Sequence, residues 1–342
     1  MPNNEAASSL IDIREDYLLE LSQEVLENLL RDHTTGKNIF WATHDYESLG
    51  NEYDYHAPIM PELITGERGM IIRPRVLKSR SNQADRSRDM AEVFTPSWIC
   101  NAQNNLVDEA WFGRKEVFNV EDTTNHTWKA NPHIIEFPDG KTWKDYVRAT
   151  RMEITCGEAP YLVSRYDATT GEPIPIQQRI GLLDRKLRVV SENTETSGDW
   201  LEWAQVAYKH TYGYEWQGDN LLLAREALLW TFIEYYQEKF GKRPLLKSIN
   251  YMAYIISWNL WQMDGLRCVV PDSCKDGMME KIQTLFGEEE HKVTCAGCHD
   301  ENIHKHNGIY CLIKEWGVKD TKTKEDNRKI RFVDLIPRTD GK

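Results

Sequence analysis

Short apolar strands alternate with long amphipathic helices in the middle of this chain, and that alternation constrains the fold more than any other feature. Arg151–Thr155 (RMEIT), Thr211–Trp216 (TYGYEW) and Asn259–Gln262 read as strands. From about Asn220 to Phe240, Leu221, Ala224, Leu228, Phe232 and Tyr235 recur on one helical face, and Gly241 stands where a left-handed C-terminal residue is wanted. A second helix covers roughly Leu246–Ile256 and leads to a turn at Met263–Leu266. Strands and helices in this order give an α/β layer fold beginning near residue 89.

Upstream the pattern differs. Leu18, Leu21, Val25 and Leu29 recur at helical spacing, Leu26 and Leu30 widen the stripe, and Glu20, Glu24, Glu27 and Arg31 lie off it, so one amphipathic helix is expected. Residues 34–66 mix aromatics with turn formers and read as irregular connection. The chain carries 42 Lys+Arg against 54 Asp+Glu, a net charge of −12, which argues against wholesale coating of nucleic acid. Against that background Arg73, Arg75, Lys78, Arg80, Arg86 and Arg88 gather with only Asp85 opposing them. They form either a solvated loop or a stripe contacting DNA phosphates. The sequence thus divides into residues 1–88, a helix and basic connecting region, and 89–342, the α/β domain. It has no apolar run long enough to cross a bilayer and begins with neither a basic n-region nor an apolar h-region, so a cytoplasmic, non-membrane protein is expected.

The order of the short motifs is more informative than any one of them. Ala91–Ser97 (AEVFTPS) precedes a helix over Trp98–Ala110. It is followed by Glu153–Tyr161 (EITCGEAPY), Tyr212–Glu226 (YGYEWQGDNLLLARE) and Asn259–Leu266 (NLWQMDGL). This succession resembles adenine-specific DNA methyltransferases of restriction-modification systems, and more narrowly the proteins called restriction endonuclease subunit M. The resemblance runs from about Asp89 to the C-terminus and is strongest in residues 89–114 and 150–275. It implies a Rossmann-like fold that binds S-adenosylmethionine. Phe94, Thr95 and Pro96 match the tripeptide that lies against the cofactor in that family, with Phe94 as a plain core residue the alternative. Glu153, Cys156 and Gly157 match the cofactor loop. Glu158, Ala159 and Pro160 replace the small residues and second glycine of that loop and make it bulkier. Glu215 matches the carboxylate that accepts from the ribose hydroxyls, and Asp264 the one that meets the adenine amine. Glu215 lies 215 − 157 = 58 residues beyond Gly157, against roughly 20 in a compact dinucleotide unit, so Ser164–Ser197 is expected to be an insertion.

The family's catalytic Asn/Asp-Pro-Pro-Tyr/Phe tetrapeptide, which grips an extruded base, is absent from the 342 residues. Pro271–Cys274 is the nearest string and lacks the aromatic platform. The resemblance then implies a chain that ends just before that motif, after a last strand at Ile330–Ile336, with a second methyltransferase subunit supplying it. The other readings are a non-catalytic DNA-binding or specificity component that keeps the fold, and a complete enzyme working through Pro271–Cys274.

Five of the seven cysteines fall late, at 268, 274, 295, 298 and 311. An odd count clustered near histidines suits a metal site in a reducing compartment better than a disulfide framework. Cys295 and Cys298 form a CxxC, and His304 or His306 with Cys311 would complete a tetrahedral zinc site. Cys274 is an alternative fourth ligand, so a zinc-clipped insertion spans 274–315. Ordinary reduced thiols are the competing reading. A redox pair is disfavoured because the segment does not place the CxxC at a helix start.

Overall fold

A computed structural model describes residues 14–78, 86, 95–284, 287–324 and 326–338. The N-terminal stripe forms two helices rather than one, α1 (Glu15–Leu21) and α2 (Gln23–Leu30). Ser22 breaks it: the residue is extended, and its hydroxyl accepts from the Glu24 N–H as an N-cap. The apolar face survives the break, with Leu18, Val25, Leu26, Leu29 and Leu30 all buried. After the one-turn helix α3 (Pro61–Ile64), α4 (Ser97–Phe112) runs to a left-handed Gly113. An antiparallel hairpin, β1 (Asn119–Asp122) and β2 (Thr127–Ala130), follows. Next comes α5 (Trp143–Arg148), opened by a capping box between Thr142 and Asp145.

The central sheet is small and parallel. Strands β3 (Arg151–Glu153), β4 (Thr211–Glu215) and β5 (Leu260–Gln262) lie in that order, Glu153 opposite Gly213 and Glu215 opposite Gln262. Two helices make each crossover: α6 (Leu182–Asn193) and α7 (Ser197–Lys209) between β3 and β4, then α8 (Gly218–Phe240) and α9 (Leu246–Asn259) before β5. Gly241 ends α8 at φ +66°, as expected. The segment expected to be an insertion includes α6, whose Leu183, Leu187, Val189 and Val190 are fully buried. The long spacing from Gly157 to Glu215 is therefore a two-helix crossover built into the core.

One apolar core extends from α1 and α2 through Trp41, Tyr146, Trp200 and Phe232 to α9, so the N-terminal region and the α/β layer share it. Arg225, buried at the middle of α8, ties these parts by polar contact. Its guanidinium donates to the carbonyls of Leu29 and Arg31 at the end of α2 and to those of Ser257 and Leu260 beside β5. The last turn of α2 thus finds a partner for its Leu29 carbonyl in another helix.

Beyond β5 the structure consists of small units. An antiparallel pair, β6 (Met279–Thr284) and β7 (Gly287–Lys292), precedes the one-turn helix α10 (Ala296–His299). Another pair, β8 (Leu312–Glu315) and β9 (Arg328–Arg331), ends the chain's regular structure. The strand expected at Ile330–Ile336 gives way to a 3-10 turn at Phe332–Leu335, where an Arg331–Asp334 ion pair of 2.7 Å closes the turn. The architecture is mixed α/β with a small sheet content, and among the described residues no helix is long and apolar enough to cross a membrane.

Candidate functional site

The parallel strands deliver carboxylates to one edge. Glu153 closes β3, Glu215 closes β4, and Asp264 follows β5 by two residues; all three are buried. Glu153 accepts from the N–H groups of Tyr161 (3.4 Å) and Leu162 (3.2 Å), while burial pushes its acid well above the usual carboxylate range. Between them the chain turns through Thr155, Gly157 and Ala159, all at positive φ, and this sharp path directs the Gly157 N–H at Glu215. The Gly157 N–H donates to Glu215 Oε2 at 2.8 Å, and the Gln217 N–H donates to Oε1 at 3.2 Å. Burial raises the Glu215 acid against these hydrogen bonds.

Two residues 58 apart in sequence are therefore in contact. Asp264 is held by the Leu266 and Arg267 N–H groups at 2.9 and 3.2 Å. Its turn connects to β4 through the Met263 N–H, which donates to the Glu215 carbonyl at 2.9 Å. Gly265 is required here: a Cβ would lie 2.6 Å from the Tyr214 ring.

Thr95 and Pro96 stand at the head of α4, where the Pro96 carbonyl accepts from the Cys100 N–H and the Thr95 side chain meets the Tyr161 hydroxyl. They reach the loop that follows β3. Phe94 lies outside the described residues, as do Arg80 and Arg88. Sequence reasoning treated Glu158 as bulk in the cofactor loop. The structure gives its carboxylate partners, the Arg75 N–H at 2.6 Å and the Tyr166 hydroxyl at 2.7 Å. Asp167, which accepts from the Ser97 N–H at 2.8 Å, was also missed; its position in a Thr-Thr-Gly turn was the available signal.

The expectation of a phosphate stripe needs correction at two positions. Arg86 is buried and its guanidinium bonds Asp219 (2.9 Å), Asp45 (2.6 Å) and Gln217. Lys78 Nζ is 3.2 Å from the same Asp219 carboxylate. Despite complete burial, Arg86 and then Lys78 hold Asp219 far below the usual carboxylate range. Both cations serve a buried acid at the start of α8. Arg73 is half-buried, with its Nε on the Met70 carbonyl.

The late cysteines assemble, with a changed ligand set. Cys274, Cys295, Cys298 and His306 place one ligand atom each within 4.8 Å of one another, a group that could hold a metal ion such as zinc. Cys311 is not in it. Its Sγ donates to the Gln262 carbonyl beneath β5, in an apolar cluster with Tyr214 and Trp261. His304 also lies outside the quartet, and His306 takes the place proposed for it. Cys295 does cap the single turn of α10, contrary to the expectation for the CxxC, and the Cys298 N–H returns to its carbonyl at 3.1 Å. Desolvation opposes ionisation of Cys295, but N–H groups of Asn307 and Cys298 hold its thiol down at about 6. Desolvation and the neighbouring Cys274 and Cys295 push Cys298 up to about 12. Compared with protein-family models, curated proteins and solved structures, the chain finds no match.

Proposed function

We propose that this chain is a DNA-modification subunit of a restriction-modification system, binding S-adenosylmethionine on a Rossmann-like sheet for methylation of adenine in DNA, with zinc as a structural ion. The observation that carries the reading is the meeting of Gly157 and Glu215 at the carboxyl ends of parallel strands, flanked by Glu153 and Asp264. Open α/β sheets bind ligands at that edge. A backbone N–H suits the cofactor's carboxylate, and a strand-end carboxylate suits two vicinal hydroxyls. In this reading Glu215 exchanges its Gly157 hydrogen bond for the ribose hydroxyls, Asp264 faces the adenine amine, and Thr95 and Pro96 border the loop. S-adenosylmethionine supplies the methyl group. The residues that grip the target base come from outside these 342 residues, on a second methyltransferase subunit. Labelled S-adenosylmethionine titrated into the chain tests this. Glu215→Ala and Asp264→Ala are each expected to weaken binding at least tenfold; no binding by the wild type, even with the partner added, overturns the reading.

A second reading is a non-catalytic DNA-binding or specificity component of the same fold. It is favoured by one observation: both Glu215 oxygens are already engaged by backbone N–H groups. Salt-dependent DNA affinity without any affinity for the cofactor selects it.

A further inference from the structure

We infer that the zinc ion is held by Cys274 Sγ, Cys295 Sγ, Cys298 Sγ and His306 Nδ1, and that it clasps the segment carrying the Asp264 turn. This rests on the zinc part of the proposed function and is independent of S-adenosylmethionine.

Distances come first. With Zn–S of about 2.3 Å and Zn–N of about 2.0–2.1 Å, a tetrahedron has S···S edges of about 3.8 Å and S···N edges of about 3.6 Å. His306 Nδ1 lies 3.5 Å from Cys295 Sγ, 3.6 Å from Cys298 Sγ and 3.9 Å from Cys274 Sγ, and the Cys274 and Cys298 sulfurs are 3.4 Å apart. The sulfurs are far beyond the roughly 2.05 Å of a disulfide, and all seven cysteines are free. Three cysteine sulfurs and an imidazole nitrogen at this spacing suit zinc, and four protein ligands leave no open position, so the ion is structural.

The surroundings are built for it. The Asn307 N–H points at Cys295 Sγ from 3.4 Å, a donor suited to a thiolate. The Cys295 N–H is held by Asp276 at 2.8 Å, and the His306 N–H donates to the Tyr310 hydroxyl at 2.8 Å. Gly297 lets the two ligand segments touch: a Cβ there would lie 2.5 Å from the His306 nitrogen. Among the described residues the local buried cluster is Val269, Cys274 and Cys295, with Cys298 and Tyr310 packed against it.

The clasp reaches Asp264 through backbone. The Asp264 N–H donates to Val269, Val270 to Ile309, and Cys311 to Cys268, so the chain running from Asp264 to Cys274 pairs with the chain leaving His306. With the ion present the cysteine end of this pairing is fixed as well; without it the pairing rests on those backbone bonds, the Ser273–Ile309 and Lys275–Asn307 hydrogen bonds and the apolar contacts of Cys268, Val270 and Cys311.

Metal analysis and amide exchange on the full chain test both halves. The wild type should carry one zinc, Cys274→Ser and His306→Ala little or none, and Cys311→Ser and His304→Ala the full amount. His306→Cys should restore zinc, which separates a ligand from a residue needed only for folding. Exchange at 264–274 should rise about tenfold on zinc removal while β4 and α8 stay protected. A wild type free of zinc overturns the zinc reading itself. Full zinc in Cys274→Ser or His306→Ala overturns the ligand set. Zinc loss with unchanged exchange at 264–274 overturns the clasp.

Discussion

The parallel-sheet body and the segment from Asp264 to Cys311 differ in what lies beneath their backbones. Under the body are Trp41, Tyr146, Trp200 and Phe232, all fully buried in one continuous core. The cysteine-bearing segment is anchored at its two ends by a small cluster in which Cys268, Val270 and Cys311 meet Tyr214 and Trp261, but around the ligands themselves the described buried residues are few, and β7 is exposed along nearly its whole length. Burying a large apolar side chain contributes about 1.5–3 kcal/mol, so the body orders itself by packing. Around the ligands the segment has less apolar area, and in the zinc reading directional bonds at four side chains supply what packing there lacks. A region poor in hydrophobic residues can be as ordered as a core if its ligands converge.

The contrast can be attacked from several sides. The largest effect should come from Arg225→Met. The variant keeps apolar volume and removes the donors to four carbonyls, those of Leu29, Ser257 and Leu260 in buried hydrogen bonds, so packing alone predicts little change. Polar ties of this kind predict a loss on the order of 3–5 kcal/mol in urea denaturation, because each stranded buried group costs about 1–3 kcal/mol.

Next in size is Arg86→Met, which leaves Asp219 buried with Lys78 beside it. The expected cost is about 2–4 kcal/mol at pH 7. Asp219 is depressed in the fold, so its contribution is present above the unfolded value of about 3.9 and is lost as pH falls below it. Wild type and variant should therefore converge in acid. A gap that does not begin to narrow as pH falls from about 5 to about 3 would assign the effect to packing, because the depressed carboxylate gives up its contribution gradually below the unfolded value.

At neutral pH a smaller effect belongs to His33, which stacks on Trp258 at 4.0 Å and bonds Ser257 Oγ at 2.9 Å. Burial, then Arg225 and Lys314, lowers it to about 3. The unfolded chain takes the proton first, near 6.5, so this group removes stability as pH falls from 6.5 towards 3, by at most about 1.4 kcal/mol per unit. His33→Gln should flatten that limb of the stability profile, and an unchanged limb would mean the imidazole titrates normally. Smallest is the surface. Replacing Arg73 and Arg75 with Gln should leave stability within about 0.5 kcal/mol and reduce the salt slope of duplex DNA binding by about 0.9 for each phosphate that is no longer neutralised. No change in slope would remove this stretch from the DNA interface.

How far each region could be read from sequence follows the same division. Helices α8 and α9 were legible because apolar residues recur at helical spacing along the sequence, and strands β3 to β5 because they are short runs bounded by turns between those helices. The break at Ser22 was not, since the apolar stripe continues across it and only the serine's capping chemistry interrupts the helix. The contact between Gly157 and Glu215 and the partners of Glu158, Lys78 and Arg86 depend on tertiary approach and leave no local pattern. In the cysteine region the CxxC was plain. Choosing between Cys274 and Cys311 was not, because spacing is silent about which thiol turns towards the knuckle and which lies under β5.

The guanidinium of Arg225 also sets an order on the making of the molecule. Helix α2 ends at Leu30, yet its terminal carbonyls wait for a donor 196 residues further along the chain. At about 5–20 residues per second, a ribosome delivers that donor on the order of 10–40 s after the helix has been synthesised. During that interval the apolar face of α2 lacks α8 and α9, against which it packs, and it is then a natural surface for chaperones that hold nascent chains. A circular permutant whose chain begins between α2 and α8 would reverse their order of synthesis and so change when these contacts can form.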